Sequence, residues 1–297
     1  MKRTARQKRK KLLIVLFVLP SVITICSIYI YPLLYSAWMS LHIAPLITDL
    51  DSLTFVGFDN FINILTKLEF WQSFRVTILF TVITLIAELS IGFFIARIVV
   101  DIRTIWIRNF VRTIIVLPLL LNPIVIALLW RSLFDPQFGF VNFLLQKIQI
   151  PPVAWFSTPI GALFTVIIAD IWHTTPFCIL ASSAGLLSQD QELFEASEVD
   201  GASEFQKTIF IRLPLLRPVL LVQAVFRFIQ IFALIDKIYV LTGGGPGRST
   251  TVITLDIFEK AFYGLKIGPA SAESWIMLAI SLLVGVWLIK SLSIETY

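Results

Sequence analysis

The chain has 297 residues, 57% of them hydrophobic and 14% charged, with a mean hydropathy of +0.88. Soluble domains carry about 25% charged residues, so an ordinary globular protein is excluded and lipid must be the solvent for much of the chain. The net charge of +5 and pI near 9.3 do not point to a nucleic-acid partner, because the basic residues cluster at the ends of apolar runs, as membrane topology requires.

Lys2, Arg3, Arg6, Lys8, Arg9, Lys10 and Lys11 precede an apolar run that starts at Leu12. A signal peptide begins in the same way. The run continues past Ile30 with no small-x-small cleavage site after it, so it reads as an uncleaved first span with its basic end in the cytoplasm. A membrane-crossing helix needs about 20 apolar residues. Six stretches approach or meet this: 12–34, 76–95, 110–130, 160–184, 219–240 and 274–289, the last extending back towards Ala270. Pro20, Pro118, Pro123 and Pro176 are expected to kink or end helices. Asn122 beside Pro123 predicts a local break in the third span, where the amide can satisfy freed backbone groups. Tyr29, Tyr31, Tyr35 and Trp38 form an aromatic belt at the outer end of the first span.

Charge sets the expected orientation. The N-terminus, the loop after the second span, the loop after the fourth and the C-terminal end together hold 15 Lys and Arg, and the opposite side holds 7. The positive-inside rule then puts both termini in the cytoplasm, with loops 35–75, 131–159 and 241–269 outside. Cys26 and Cys178 fall inside apolar runs and read as small buried hydrophobes with no metal spacing. No internal repeat stands out. Residues 1–11 form a basic cytoplasmic N-terminus and residues 12–297 a single transmembrane domain, with one patterned cytoplasmic loop at 185–218.

That loop is too polar for the bilayer and too regular for a linker. Ser188 with Gln191 forms a candidate capping box for a short helix through Glu195 to Val199. Asp200-Gly201 supplies a stop, glycine suiting the left-handed position after a helix. Ser203 with Gln206 caps a second short helix, which Leu213-Pro214 and Arg217-Pro218 are expected to end before the fifth span. A helix–turn–helix results.

Glu195-Ala196-Ser197, then Gly201, then Ile211-Arg212-Leu213-Pro214 has the residues and spacing of the EAA motif. The chain thereby resembles the membrane subunits of binding-protein-dependent ABC importers. Ser197 stands where the signature often has a second alanine. Asp170-Ile171-Trp172-His173-Thr174-Thr175-Pro176-Phe177, the segment 236–247 with Ser249-Thr250-Thr251, Tyr31-Pro32 and Gly57-Phe58-Asp59-Asn60-Phe61 extend the likeness to the carbohydrate group (maltose, trehalose and glycerol-phosphate permeases) over nearly the whole chain. The resemblance implies an all-α integral membrane fold, a six-helix bundle of the type I importer permease kind, with a cytoplasmic coupling helix. It implies that Glu195, Ala196, Ser197, Asp200 and Gly201 couple to an ATPase, Glu195 pairing with a basic group of that partner. Its further implied partners are a second permease, two ATPase subunits, an extracytoplasmic solute-binding protein and a sugar. ATP and Mg belong to the ATPase, so the chain itself is a transport subunit with no catalytic residues, cofactor or metal of its own.

The glycine run 243–247 lacks the Gly-Lys-Ser/Thr ending of a phosphate-binding loop and reads as a tight extracellular turn. Ionisable groups within spans are costly and face a bundle interior or a wet cavity. Asp170, His173, Thr174 and Phe177 share one helical face, as do Arg227, Gln230, Ile231 and Leu234. Such faces suit a sugar: polar groups exchange hydrogen bonds with hydroxyls and a ring covers the apolar pyranose face. Asp170, His173, Thr174, Phe177, Arg227 and Gln230 are therefore the candidate substrate pathway, against the alternative that Asp170 or His173 pairs with Arg227 as a structural bridge. Glu88 is expected to be structural, paired with a partner permease or with Arg97, and Lys237 to snorkel to the interface. Trp172 reads as lipid-facing or packed. Three other functions compete: an ion-coupled secondary transporter using Glu88, Asp170, His173 and Arg227 as a relay; a membrane scaffold, which explains the spans but not the motif with its spacing; and a glycerol-phosphate permease of the same family, which Arg227 permits and the negative charge of Asp170 opposes.

Overall fold

The computed structural model describes residues 5–43 and 53–293. Of the basic N-terminal cluster, Lys2 and Arg3 lie outside them. Helix α1 (Ala5–Ile25), a π-helical turn (Cys26–Ile30) and α2 (Tyr31–Ser40) run on without interruption. Strands β1 (His42–Ile43) and β2 (Thr54–Phe55) pair antiparallel, and α3 (Asp59–Thr66) follows. Then come α4 (Leu68–Asp101), α5 (Ile105–Val116), a 3-10 turn (Leu117–Leu120), α6 (Pro123–Leu133), α7 (Phe140–Lys147) and α8 (Pro159–Leu187). Helices α9 (Gln191–Val199) and α10 (Glu204–Lys207), a π-helical turn (Thr208–Arg212) and α11 (Leu213–Phe232) lead to α12 (Asp236–Leu241), α13 (Ile253–Phe258), a third π-helical turn (Glu259–Tyr263) and α14 (Ile267–Ser293).

Among the described residues, five helical stretches are long and apolar enough to cross a membrane: Leu16–Ser40, Leu68–Asp101, Pro159–Leu187, Glu204–Phe232 and Ile267–Ser291. The pair Ile105–Leu120 and Pro123–Leu133, bent by 97°, meets the same test when taken together and brings the count to six if it forms one span. The bend bears out the expected break. Pro118 lies in the 3-10 turn, and the Asn122 side chain accepts from the Ile124 N–H at 2.9 Å, capping α6. Helices run through Pro20 and Pro176, so neither proline ends a span.

The chain divides into two compact units, residues 1–67 with 257–277 and residues 68–256 with 278–297. In the first, Asn60 donates to the carbonyls of Ser40 (2.8 Å) and His42 (3.0 Å), fastening α3 to the end of α2. Tyr31, Tyr35, Trp38 and His42 stack along α2 and into β1. Residues 16–35 are all exposed, Cys26 included. That corrects the expectation of a buried Cys26: an apolar helix surface offered to lipid needs no protein cover.

In the second unit α4 and α8 lie close along their length. A Cβ on Gly92 would stand 2.5 Å from the Cys178 Cβ, so the glycine permits the approach, as small residues do between membrane helices. Cys178 is fully buried there. The fifth span differs from its expected course. Leu213-Pro214 and Arg217-Pro218 do not end a helix; the π-turn carries the chain into α11, and its i→i−5 bond from Leu213 N–H to the Thr208 carbonyl takes the place of the register that Pro214 cannot continue. Helix α11 stops at Phe232, ahead of the expected 240, leaving Leu234 off the face it was expected to share with Arg227 and Lys237 on the separate α12.

Candidate functional site

The first site is the connection between α8 and α11. Its first helix is capped by Asp190, whose side chain accepts from the Glu192 N–H at 3.0 Å. Ser188 instead closes α8, its hydroxyl donating to the Gly185 carbonyl at 2.8 Å. The capping box expected at Ser188 is corrected accordingly: a carboxylate one residue before the helix is both nearer and the stronger acceptor. Helix α9 turns Phe194 and Ser197 inward and leaves Glu192, Leu193, Glu195, Ala196, Val199 and Asp200 exposed. Ser197 satisfies its hydroxyl on the Phe194 carbonyl at 2.7 Å, so serine fits where alanine was expected. Gly201 has φ +77°, and the N–H groups of Gly201 and Ala202 return to the carbonyls of Glu198 and Ser197, the left-handed helix ending predicted for it. A Cβ there would touch nothing within 4 Å, so the glycine is required by backbone conformation rather than by space. The Ser203–Gln206 capping box is present in both directions.

The second site lies between α4, α8, α11 and α12. Arg227 donates from Nε to Glu88 Oε2 at 2.6 Å and from Nη2 to Glu88 Oε1 at 2.8 Å. Nη2 also reaches Asp170 Oδ2 at 3.1 Å, and Lys237 donates to Asp170 Oδ1. The Thr174 hydroxyl lies against the Glu88 carboxylate, 2.6 Å from the backbone carbonyl of Asp170, and accepts from Arg227 Nη2 at 2.9 Å. Arg227 Nη1 donates to Gln230 at 2.6 Å. Glu88, Asp170, Arg227 and Lys237 are each at most 2% exposed. Every ion taken out of water costs several kcal/mol, so such a set survives only as a neutral, hydrogen-bonded group. Two carboxylates and two cations meet that condition.

This geometry sorts the expected pathway residues. Asp170, Thr174 and Arg227 come together as a buried lattice, joined by Glu88 and Lys237. Glu88 pairs with Arg227 rather than with Arg97. Lys237 does not snorkel, because a buried carboxylate lies within its reach. His173 turns away from the lattice: its Nε2 sits 3.2 Å from the Leu121 carbonyl at the break of the third span, where a helix end frees an acceptor. Phe177 is half-buried in a crevice of about 330 Å³ between α8 and α11, with Ala181, Val222, Gln223 and Phe226. Gln230, one turn beyond Phe226, is exposed, and Ile231 is buried in the core. Trp172 is part-exposed and edge-on to Trp130, as expected. Phe226 and Gln223 were missed from sequence, since an aromatic and an amide on an apolar span carry no charge to flag them. The run 243–247 is a turn with positive φ at Gly243, Gly244 and Gly247.

The profile of the family described as binding-protein-dependent transport system inner membrane component matches residues 88–292, which contain both sites. The chain belongs to that family. Among its relatives, the trehalose/maltose transport system permease protein MalF of Thermococcus litoralis is 38% identical over 250 residues, covering 84% of this chain and 83% of the relative. The trehalose transport system permease protein SugA of Mycobacterium tuberculosis is 30% identical over 272 residues, covering 92% and 86%. A solved bacterial ABC transporter involved in import of the acidic polysaccharide alginate superposes with a TM-score of 0.86 over 98% of this chain and 99% of that one. At 22% identity the last likeness establishes the fold alone, an all-α, multi-pass membrane protein. The family match is what makes the chain a transport permease subunit.

Proposed function

We propose that this permease forms half of the translocation pathway of an ATP-driven sugar importer, for a di- or oligosaccharide such as trehalose or maltose, with the α9–α10 loop as its cytoplasmic handle. The observation that carries the coupling role is the outward face of α9. Glu195, Ala196 and Val199 stand exposed on a polar loop, and Val199 (89%) and Phe205 (72%) flank the left-handed Gly201. Apolar side chains exposed outside the bilayer call for a protein partner, and in this family the motif around Glu195 is where an ATPase docks. Both termini are assigned to the cytoplasm by charge.

For the solute, the lattice serves as a rigid backing. Phe177, Phe226 and Gln230 are the side chains placed to meet a sugar, a ring for its apolar face and an amide for its hydroxyls, with Gln230 held by Arg227. The mechanism is alternating access. A binding protein delivers solute at the outer face, ATP binding closes two ATPase subunits, α9 moves with them, and this chain rocks against a second permease. The drive is differential: ATP must favour the closed state strongly over the open one. Each lattice carboxylate is already engaged by a guanidinium or ammonium group, which suits a structural pairing better than a proton relay. Arg227 is committed to two carboxylates, which argues against phosphate capture and so against glycerol phosphate. Solute-stimulated ATP hydrolysis by the purified complex, screened over disaccharides, polyols and glycerol phosphates, tests this. Stimulation by a disaccharide is expected, and stimulation by glycerol phosphates alone would overturn the sugar assignment.

A further inference from the structure

One carboxylate gathers most of the charged links between the coupling loop and the spans. Glu204, the first residue of α10, meets cations from three different elements. Its Oε2 accepts from Arg97 of α4 at 2.7 Å and from Arg212, at the foot of α11, at 3.0 Å; its Oε1 accepts from Lys207 of α10 at 3.1 Å. Lys207, only 4% exposed, also donates to Glu198 of α9 at 2.7 Å. Arg97 reaches Thr208 in the π-turn as well, the Arg212 guanidinium lies 4.8 Å over the Phe194 ring of α9, and Gln189 donates to the Arg212 carbonyl at 3.0 Å. Glu204 thus ties α4, α10 and the start of α11 directly, and α9 through Lys207 and Arg212.

Exposed ion pairs add little to stability one at a time, and half of the Glu204 side chain is open to solvent. The value of the arrangement is therefore geometric. Between α9 and α10 the covalent joint is a short turn at Gly201, and a turn of that kind absorbs displacement. The ionic joint closes the triangle: α9 through Glu198 and Lys207, α4 through Arg97, α11 through Arg212. We propose that Glu204 is a positioning residue that makes α9 move as one body with α4 and α11, so that a push on α9 reaches the spans. This rests on the reading of α9 as the coupling helix.

The test uses the whole transporter in proteoliposomes. Glu204→Gln, Arg97→Gln and Glu204→Asp are compared with the unaltered chain for ATPase subunit retention, ATP hydrolysis, and solute taken up per ATP. With subunits retained and hydrolysis within about twofold, uptake per ATP is expected to fall about tenfold for both glutamine variants. Glu204→Asp, which keeps the charge, should recover a measurable part of it. Spin labels at Glu192→Cys on α9 and Phe94→Cys on α4 should show a wider distance distribution once Glu204 is neutralised. Unchanged uptake per ATP overturns the proposal. So does loss of the ATPase subunits from the glutamine variants, which would make Glu204 part of docking or folding. Failure of the unaltered chain to bind any ATPase is a different result, and it sinks the coupling reading beneath.

Discussion

Arg227 on α11 and Glu88 on α4 form a two-bonded ion pair, at 2.6 and 2.8 Å, inside the membrane-spanning part of the protein. The pair fastens the second span to the fifth, and through Asp170 and Lys237 it also holds the fourth span and α12. Removing one member of a buried pair leaves its partner as an uncompensated charge, at a cost of about 3–5 kcal/mol. Glu88→Ala is therefore expected to lower thermal stability in detergent sharply. The double variant Glu88→Met with Arg227→Met leaves Asp170 and Lys237 to neutralise each other and should be more stable than Glu88→Ala. Unfolding midpoints in which the double variant equals the sum of two separate losses would contradict the lattice.

His173 is expected to act on the backbone rather than on solute. His173→Phe strands the Leu121 carbonyl and should cost about 1–3 kcal/mol, whereas His173→Gln keeps a donor and should cost less. The apparent affinity for solute should stay unchanged in both, as read from the solute dependence of ATP hydrolysis.

Gly201 separates conformation from space. Alanine there meets no neighbour but must adopt a left-handed backbone, at about 1–2 kcal/mol. Asparagine tolerates that region better. Uptake should therefore fall in the order glycine, asparagine, alanine, valine. Valine as active as glycine would show that the turn needs no left-handed residue.

The crevice between α8 and α11 makes its own prediction. Phe226→Ala and Gln230→Ala should each weaken the solute dependence of ATP hydrolysis by about tenfold, ~1.4 kcal/mol, with the complex still assembled. Solute dependence untouched in both would remove this face from the pathway.

Much of this architecture can be read from residues. Apolar runs locate the spans because backbone groups in lipid must bond internally, and Asn122-Pro123 marks the broken one. Gly201 and the Ser203–Gln206 box are legible because caps are local chemistry. The lattice is legible only in part. Glu88, Asp170 and Arg227 stand out as ionisable groups deep within apolar runs. Lys237, beside Asp236 at the expected outer end of the fifth span, reads as a snorkelling residue and Glu88 as a partner of Arg97 or of another permease, because which acid meets which base depends on helix packing that no local pattern encodes. The same limit hid the role of His173, whose partner is a carbonyl 52 residues away. Pro214 misled for another reason: it falls in the first turn of α11, entered through a π-turn that nothing at single-residue level announces, while α11 runs on through Pro218.

The central claim is that α9 is the part of this permease an ATPase grips, with Glu195 at the contact. Solute-stimulated ATP hydrolysis by the complete transporter, measured for the unaltered chain and for Glu195→Arg, tests it most directly. The account predicts that the variant still inserts and folds but loses stimulation and uptake. Stimulation equal to that of the unaltered chain would contradict it.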